Sequence, residues 1–122
     1  MDSVKQVIVI RKDLKMRRGK EIAQGAHASM AFLSNLWAKN LAPSAVERQW
    51  LEDSFTKVVC QAQSEDELLD LAAEAERSSI QSHLIQDQGR TEFGGVPTYT
   101  ALALGPDWSE ELDAITGHLK LY

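Results

Sequence analysis

The sequence contains no run of about 18 apolar residues, the length that a membrane-spanning helix requires. Its first five residues lack the apolar core of a secretory signal, so they do not predict export. A single cysteine, Cys60, excludes an internal disulfide and favours a reducing compartment. Because Cys60 follows Val58 and Val59, we expect a small buried side chain rather than a nucleophile. These features predict a cytoplasmic protein without a membrane span.

Several catalytic signatures are also missing. Gly19-Lys20 does not belong to a P-loop, because Leu14 and Glu21 stand where that motif needs glycine and Ser or Thr. No Gly-x-Ser-x-Gly elbow is present. The histidines are far apart in sequence and have no cysteine pair nearby, which disfavours a zinc site; they are His27, His83 and His118.

The composition is that of a globular protein, with 43% hydrophobic and 25% charged residues. At 122 residues the chain is long enough for one hydrophobic core. It contains no internal repeat, low-complexity tract or linker. We therefore expect residues 1–122 to form a single domain.

Positive charge is concentrated in one segment, residues 11–20, which follows the apolar run Val7–Ile10 and precedes a long helical pattern. This segment carries six positive charges against one negative, which leaves −10 on the remainder of a chain whose net charge is −5. A basic loop before a helix N-terminus favours anions, because free backbone N–H groups and the helix dipole add to the side-chain charge. The distribution suits a ligand that presents a few phosphates.

Hydrophobic periodicity and turn residues predict four strands and four helices. The predicted strands are residues 4–10, 57–62, 80–86 and 98–104, the last one ended by Gly105-Pro106. The predicted helices are residues 19–39, residues 45–53 after Ser44, one that follows a Ser64–Glu67 capping box, and one capped by Asp107 or Ser109 that ends near Thr116. The loop between the third and fourth strands is too short for a parallel crossover. This order predicts a single three-layer α/β domain with a four-stranded mixed sheet flanked by helices.

The long helix has two distinct faces. Its apolar stripe predicts the buried face; the stripe comprises Ile22, Ala26, Met30, Leu33 and Trp37. A second arc is formed by Lys20, Gln24, His27 and Ala31, which we expect to be neighbours on an accessible face. The arc is either an ordinary solvated flank or part of a site, and the basic segment before it favours a site.

A second polar group follows the third predicted strand, in Asp87-x-Gly89-Arg90-Thr91. It places a carboxylate and a hydroxyl at a strand end, where ligand sites of α/β sheets usually form. The alternative is an ordinary turn in which Asp87 accepts backbone N–H bonds.

Together these motifs resemble those of type II peptidyl-tRNA hydrolases, and the resemblance covers nearly the whole chain. It rests on several separated motifs in the right order, namely Arg11-x-Asp13-Leu14-x-Met16-x-x-Gly19-Lys20, Ala23-Gln24-x-x-His27-Ala28, Lys57-Val58-Val59, Asp87-x-Gly89-Arg90-Thr91, Thr100, Leu104-Gly105-Pro106 and Gly117–Tyr122. The sequence departs from the family in having Gly25 where a cysteine is usual, in the segment Phe93–Pro97, and in its negative net charge.

The resemblance implies an enzyme that hydrolyses the ester between a peptide and the 3′-terminal ribose of tRNA, recycling tRNA from aborted translation. It also implies that neither a metal nor a cofactor is needed, and that the protein is a homodimer. Lys20 carries over as an active-site lysine that stabilises the oxyanion or binds a terminal phosphate. Asp87 is the best carboxylate to orient or activate water, ahead of His27 as an acid–base group.

Other residues are expected to contact the substrate. Thr91 and Thr100 would position the water or the ribose, and Gln24 would hydrogen-bond the substrate. Phosphates of the tRNA would contact Arg11, Lys12, Lys15, Arg17 and Arg18, with Arg90 as a further substrate contact.

Two other functions stay open at this point. One is a non-catalytic RNA-binding or adaptor module of the same fold, which would be expected to lose Lys20, Asp87 or Thr91; all three are present. The other is a deacylase acting on a related acyl-tRNA, which the sequence does not separate from a peptidyl-tRNA hydrolase.

Overall fold

Helices and strands alternate along the chain in a computed structural model, which describes residues 3–90 and 92–122. The elements are β1 (Val4–Arg11), α1 (Arg18–Lys39), α2 (Ala45–Glu52), β2 (Lys57–Ala62), α3 (Glu65–Arg77), β3 (Ser82–Asp87), β4 (Thr98–Trp108) and α4 (Ser109–Thr116). Their order is the predicted one. Within the described residues, no helix combines the length and apolarity needed to cross a membrane.

The strands form one mixed sheet in the order β2-β1-β4-β3. β1 pairs in parallel with β2, and β4 runs antiparallel to both β1 and β3. The predicted four-stranded mixed sheet is thus confirmed. Because β1, β2 and β3 run in the same direction, their final residues Arg11, Ala62 and Asp87 lie along one edge, which we call the carboxyl edge.

Helices cover both faces of the sheet, which confirms the three-layer α/β architecture. Successive side chains of β1 point to opposite faces of the sheet, so they contribute alternately to two cores. Val7 and Val9 face a core with α3 and α4, whose buried members include Leu68, Leu71, Leu112 and Ile115. Ile8 and Ile10 face α1, packing with Ala28, Ile85, Ala101 and Ala103. Cys60 lies in the first core, as predicted, and burial raises the pKa of its thiol.

The prediction of the buried face of α1 is wrong. Gln24, Ala28 and Phe32 are the buried residues of this helix, whereas Ile22, Met30 and Trp37 are 66%, 61% and 88% exposed. The helix presents small residues to the sheet: a Cβ added to Gly25 would lie 3.8 Å from Cδ1 of Ile10. Close approach of the helix to the sheet leaves Ile22 and Met30 on the surface. Of the predicted stripe, Leu33 is half-buried and packs against a third cluster that contains Phe32 and Trp50.

The strand β4 is longer than predicted and does not stop at Gly105-Pro106. It continues to Trp108, where Val4 pairs with Trp108 and Lys5 with Asp107. Gly105 makes this possible at a φ of +83°, and a Cβ there would lie 2.7 Å from the backbone nitrogen of Asp107. The Gly105–Pro106 peptide bond is cis. Pairing with β1 therefore continues β4 past Gly105-Pro106, where the sequence predicts that the strand ends.

Predictions at other element ends are confirmed in part. Ser44 and Glu47 form a complete capping box at α2. Ser64 caps α3 through the N–H of Glu67, but the Glu67 carboxylate accepts the N–H of Gln63 rather than that of Ser64. The last helix, α4, begins after Trp108 with no side-chain cap, so the predicted caps at Asp107 and Ser109 are wrong.

Candidate active site

An ion pair joins the two polar groups that the sequence singles out. Lys20 lies in the first turn of α1, and Asp87 ends β3 at the carboxyl edge. The Lys20 Nζ is 2.8 Å from Oδ1 of Asp87, and both side chains are mostly buried, at 16% and 15% exposure. The other carboxylate oxygen, Oδ2, accepts the N–H of Gly89 at 2.8 Å.

These bonds hold Asp87 in its ionised form. The hydrogen bond from Lys20 lowers the pKa of Asp87, the Gly89 N–H and the lysine charge lower it further, and partial burial opposes them. Gly89 has a φ of +79°, and a Cβ there would lie 2.3 Å from the carbonyl oxygen of Val96, so this turn requires glycine. Asp87 thus accepts a backbone N–H bond within a turn and also contacts Lys20. The interpretation of this motif as a turn is therefore compatible with its interpretation as part of a site.

A second pair, Gln24 and Thr100, lies beneath Lys20. The Thr100 hydroxyl donates to Oε1 of Gln24 at 2.5 Å, and the two residues are 0% and 7% exposed, respectively. The sequence predicts an accessible Gln24, which is wrong: its amide is buried because Thr100 of β4 satisfies the carbonyl end. Thr100 lies behind Gln24 and does not line the cleft described next.

One open cleft of about 360 Å³ gathers three of the five predicted catalytic residues, together with the predicted substrate contacts Gln24 and Arg90. It is lined by Lys20, Gln24, His27, Gln86, Asp87, Gln88 and Arg90. Gln86 and Gln88 are not among the residues predicted from the sequence, although their position on either side of Asp87 is a usable signal. Thr91, a predicted catalytic residue, lies outside the described residues.

The basic residues of the segment 11–20 differ in their surroundings. Lys12, Lys15 and Arg18 are exposed. Arg17 is also exposed, and its Nε lies 2.8 Å from Oε1 of Glu92.

Arg11 differs from these residues because it is buried. Its Nε and Nη2 donate to both oxygens of Asp13, and Nη1 donates to the carbonyl oxygen of Tyr99 at 3.0 Å. The guanidinium therefore holds the loop against β4, and this geometry does not favour the predicted phosphate contact for Arg11.

No group of three or more His, Cys, Asp or Glu side chains is placed to hold a metal ion among residues 3–90 and 92–122. The cleft instead offers a lysine ammonium, an amide, an imidazole, a guanidinium and an ionised carboxylate. Such a set can bind an anionic ligand, position a water molecule and stabilise negative charge that develops on an oxygen.

The chain is similar to known proteins over nearly its whole length. Residues 4–122 match the profile of the family described as "Peptidyl-tRNA hydrolase PTH2". A peptidyl-tRNA hydrolase of Methanocaldococcus jannaschii is 44% identical, covering 97% of this chain and 99% of the relative. One from Methanopyrus kandleri is 45% identical over 96% and 97%. The human protein named peptidyl-tRNA hydrolase 2, mitochondrial, is 38% identical over 97% of this chain and 64% of its own.

A solved structure also matches the fold. It is that of a protein of unknown function from Agrobacterium tumefaciens, with a TM-score of 0.62 and 13% identity, covering 100% of this chain and 99% of the other. At that identity the likeness concerns the fold alone.

Proposed function

The chain belongs to the peptidyl-tRNA hydrolase PTH2 family, and we propose that the cleft around Lys20 and Asp87 is its active site. The protein is an ester hydrolase that cleaves the bond between peptide and tRNA in peptidyl-tRNA, recycling tRNA from aborted translation. The main support for the site is the 2.8 Å ion pair between Lys20 and Asp87, which holds a cation and an anion in one cleft.

Ester hydrolysis needs a positioned water, stabilisation of the oxyanion and a proton for the leaving oxygen. The ionised carboxylate of Asp87 accepts a proton from the water as the water oxygen bonds to the ester carbon, and Asp87 releases that proton to solvent before the next turnover. The ammonium of Lys20, fixed by Asp87, stabilises the oxyanion. As the bond to the ribose oxygen breaks, that oxygen takes a proton, for which His27 is the proposed donor because it lines the same cleft.

Gln24 acts as a hydrogen-bond donor in this scheme. Its carbonyl oxygen is occupied by the Thr100 hydroxyl, so the amide nitrogen is the end available to a ligand in the cleft. We assign that nitrogen to the substrate carbonyl. Thr100 is therefore a positioning residue that acts through Gln24. Thr91 remains a proposed hydroxyl contact to the water or the ribose.

Exposed cations around the cleft are proposed to contact tRNA phosphates. Lys12, Lys15 and Arg17 lie in the loop between β1 and α1. Arg18 is the first residue of α1, and Arg90 lines the cleft itself. A local patch of this kind offsets the chain's net charge of −5 near the substrate only. Arg11 is left out because its guanidinium donates to Asp13 and Tyr99.

The exposed apolar stripe of α1 supports a homodimer. Ile22, Ala26 and Met30 line a groove of about 630 Å³, which also includes Phe55 and Val59. Trp37 extends the stripe at 88% exposure. Contiguous large apolar side chains on a surface mark an interaction site. We propose that a second copy of the chain covers this stripe, in agreement with the homodimer that the family resemblance implies.

We further propose that the reaction needs neither metal nor cofactor, because Lys20 and Gln24 supply the charge stabilisation. Dialysis against EDTA should leave turnover unchanged, and a loss reversed by added metal would contradict this mechanism. A cytoplasmic location is proposed as well, since translation supplies the substrate there and Cys60 is a buried free thiol.

A release assay tests the substrate class. Wild-type protein should release tRNA from N-acetyl-aminoacyl-tRNA much faster than from free aminoacyl-tRNA, and the Lys20→Ala variant should lose the release. Equal rates on both wild-type substrates would favour the acyl-tRNA deacylase, and absence of release from either would favour the RNA-binding module.

A further inference from the structure

A second polar groove, of about 550 Å³, opens at the carboxyl edge on the side of β2. Gln61 and Gln63 border it at the end of that strand, and Lys12 and Lys15 border it from the loop after β1. The other lining residues are Asp13, Glu67, His118, Leu119 and Lys120. We call this feature the β2 groove. None of His118, Lys120, Gln61 and Gln63 has a role in the mechanism above.

The far wall of the β2 groove is fixed in place by backbone pairing. The N–H of Gln61 donates to the carbonyl oxygen of Lys120, and the N–H of Tyr122 donates to that of Val59, each at 3.0 Å. The Gln61 amide also donates to the carbonyl oxygen of Leu121 at 3.0 Å. The segment carrying Lys120 is thus held against the outer edge of β2, so Lys120 lines the same groove as Lys12 and Lys15.

Three lysines and two carboxylates line the groove, so its positive charge exceeds its negative charge. The carboxylate of Asp13 is engaged by two bonds from Arg11. Oε1 of Glu67 accepts the N–H of Gln63 at 2.6 Å. In the described part of the chain, no carboxylate lies within ion-pair distance of Lys12, Lys15 or Lys120. Three lysines therefore face the groove without an acidic partner, which is the arrangement that binds phosphates.

The distance between the groove and the cleft corresponds to a short stretch of an RNA strand. β2 and β3 are three strand spacings apart in the order β2-β1-β4-β3, which is about 14 Å at about 4.8 Å per strand. A nucleic-acid strand rises about 3.4 Å per nucleotide when stacked, so about four nucleotides span that distance. The basic loop after β1 lies between the two ends of this path.

We propose that the β2 groove is a second tRNA subsite, which binds backbone phosphates of the 3′ strand about four nucleotides from the ester. This inference rests on the proposed active site, since the ester defines where the count begins. Acidic residues of α3, Asp66 and Asp70, lie beyond His118 and Glu67 on the far side. They repel a polyanion and confine it to the side of the lysines.

A single variant on two substrates tests the subsite. Lys120→Gln, the groove variant, removes the one groove lysine that has no role in the proposed patch around the cleft. One substrate is full-length N-acetyl-aminoacyl-tRNA, and the other is the N-acetyl-aminoacyl ester of adenosine alone, which has no phosphates to reach the groove. Lys39→Gln is the matched control, because it removes one exposed positive charge from α1 away from the carboxyl edge.

On full-length substrate, the dependence of log kcat/KM on log salt should become shallower by about 0.7 in the groove variant, the value for one phosphate of a single strand. Rates on the adenosine ester should not change, and the control should match wild type on both substrates. Lys120→Arg should restore the wild-type slope. Equal denaturant midpoints would show that all variants are folded.

Two results would overturn the subsite: a wild-type salt slope in the groove variant, or an equal loss on both substrates. Failure of the active-site assignment gives a different pattern. In that case Lys20→Ala and Asp87→Asn would retain full turnover on both substrates, whatever the groove variant does.

Discussion

Nζ of Lys20 lies 2.8 Å from Oδ1 of Asp87, although 67 residues separate them in the sequence. The contact forms because α1 begins, and β3 ends, at the same edge of the sheet. Each partner changes the other's chemistry: Lys20 lowers the pKa of Asp87, and Asp87 holds the ammonium in one direction. An ionised carboxylate can accept a proton from water, and an oriented cation can stabilise an oxyanion, which are the two roles that the proposed mechanism gives this pair.

The first prediction concerns the two members of this pair. Lys20→Ala and Asp87→Asn should each lower kcat/KM at least about a hundredfold, the usual effect of removing a charge-stabilising or base group. The double variant should lose little more than either single variant, because paired groups act as a unit. Single-turnover hydrolysis of peptidyl-tRNA measures both effects. Wild-type turnover in either single variant would contradict the assigned role.

The second prediction concerns pH and decides between two proposed bases. The lowered pKa of Asp87 keeps its carboxylate ionised well below neutral pH. With Asp87 as the acceptor, kcat/KM should not fall between about pH 7 and about pH 5, since an ordinary aspartate titrates near 3.9. A histidine base would instead make kcat/KM fall through about pH 6.5. The His27→Gln variant is the control: a fall in the wild-type profile that this variant abolishes would identify His27 as the base.

The third prediction concerns the hydroxyl behind Gln24. Thr100→Val should leave Oε1 of Gln24 buried without a donor, at a cost of about 1–3 kcal/mol in unfolding free energy. It should also lower kcat more than it raises KM, because the amide loses its orientation. Thr100→Ser keeps the hydroxyl and should restore both values. If the valine variant keeps wild-type kcat, Thr100 has a structural role only.

The fourth prediction concerns the exposed stripe of α1. Met30→Glu should convert a dimer to a monomer, because it places a charge in an apolar contact. Sedimentation equilibrium measures the change. Ala38→Glu adds the same charge at another exposed position of α1 and should leave the dimer intact. A wild-type protein that is monomeric at all concentrations would refute the proposed interface.

The fifth prediction concerns stability at acid pH. Burial lowers the pKa of His83, and the charge of Glu47 opposes this only in part. Its Nε2 lies 2.9 Å from Oε1 of Gln81, and its Nδ1 lies 3.4 Å from Nδ2 of Asn35, which fits a neutral ring.

The unfolded chain therefore binds a proton more readily than the native one, so the unfolding free energy should fall as pH drops through about 6.5. Urea denaturation at pH 5 to 8 measures this dependence. His83→Gln should weaken the pH dependence of the unfolding free energy. If the dependence is the same in this variant as in wild type, groups other than His83 cause it.

Much of the fold follows from local patterns. The β-branched run Val7–Ile10, the cap at Ser44 and the helical spacing of Lys20, Gln24 and His27 each act within a few residues, so the sequence predicts them directly. The grouping of those three side chains in one cleft is also predicted, because residues four and three apart share a helix face.

Hydrophobicity alone predicts the wrong burial where a polar side chain finds a partner that is distant in sequence. On α1, Ile22 and Met30 read as core and Gln24 as surface, yet Gln24 is buried and both apolar residues are exposed. The partner that satisfies Gln24 is Thr100, 76 residues away. The continuation of β4 past Gly105 likewise depends on pairing with β1.

Short-range backbone preferences and composition are enough to predict the order of the helices and strands, the basic segment and the polar residues of the site. Contacts between distant segments settle which face of α1 meets the sheet, which end of the Gln24 amide is available and how Lys20 meets Asp87. The reason is physical: burial of a side chain depends on whether its polar atoms find partners, and those partners come from strands distant in sequence.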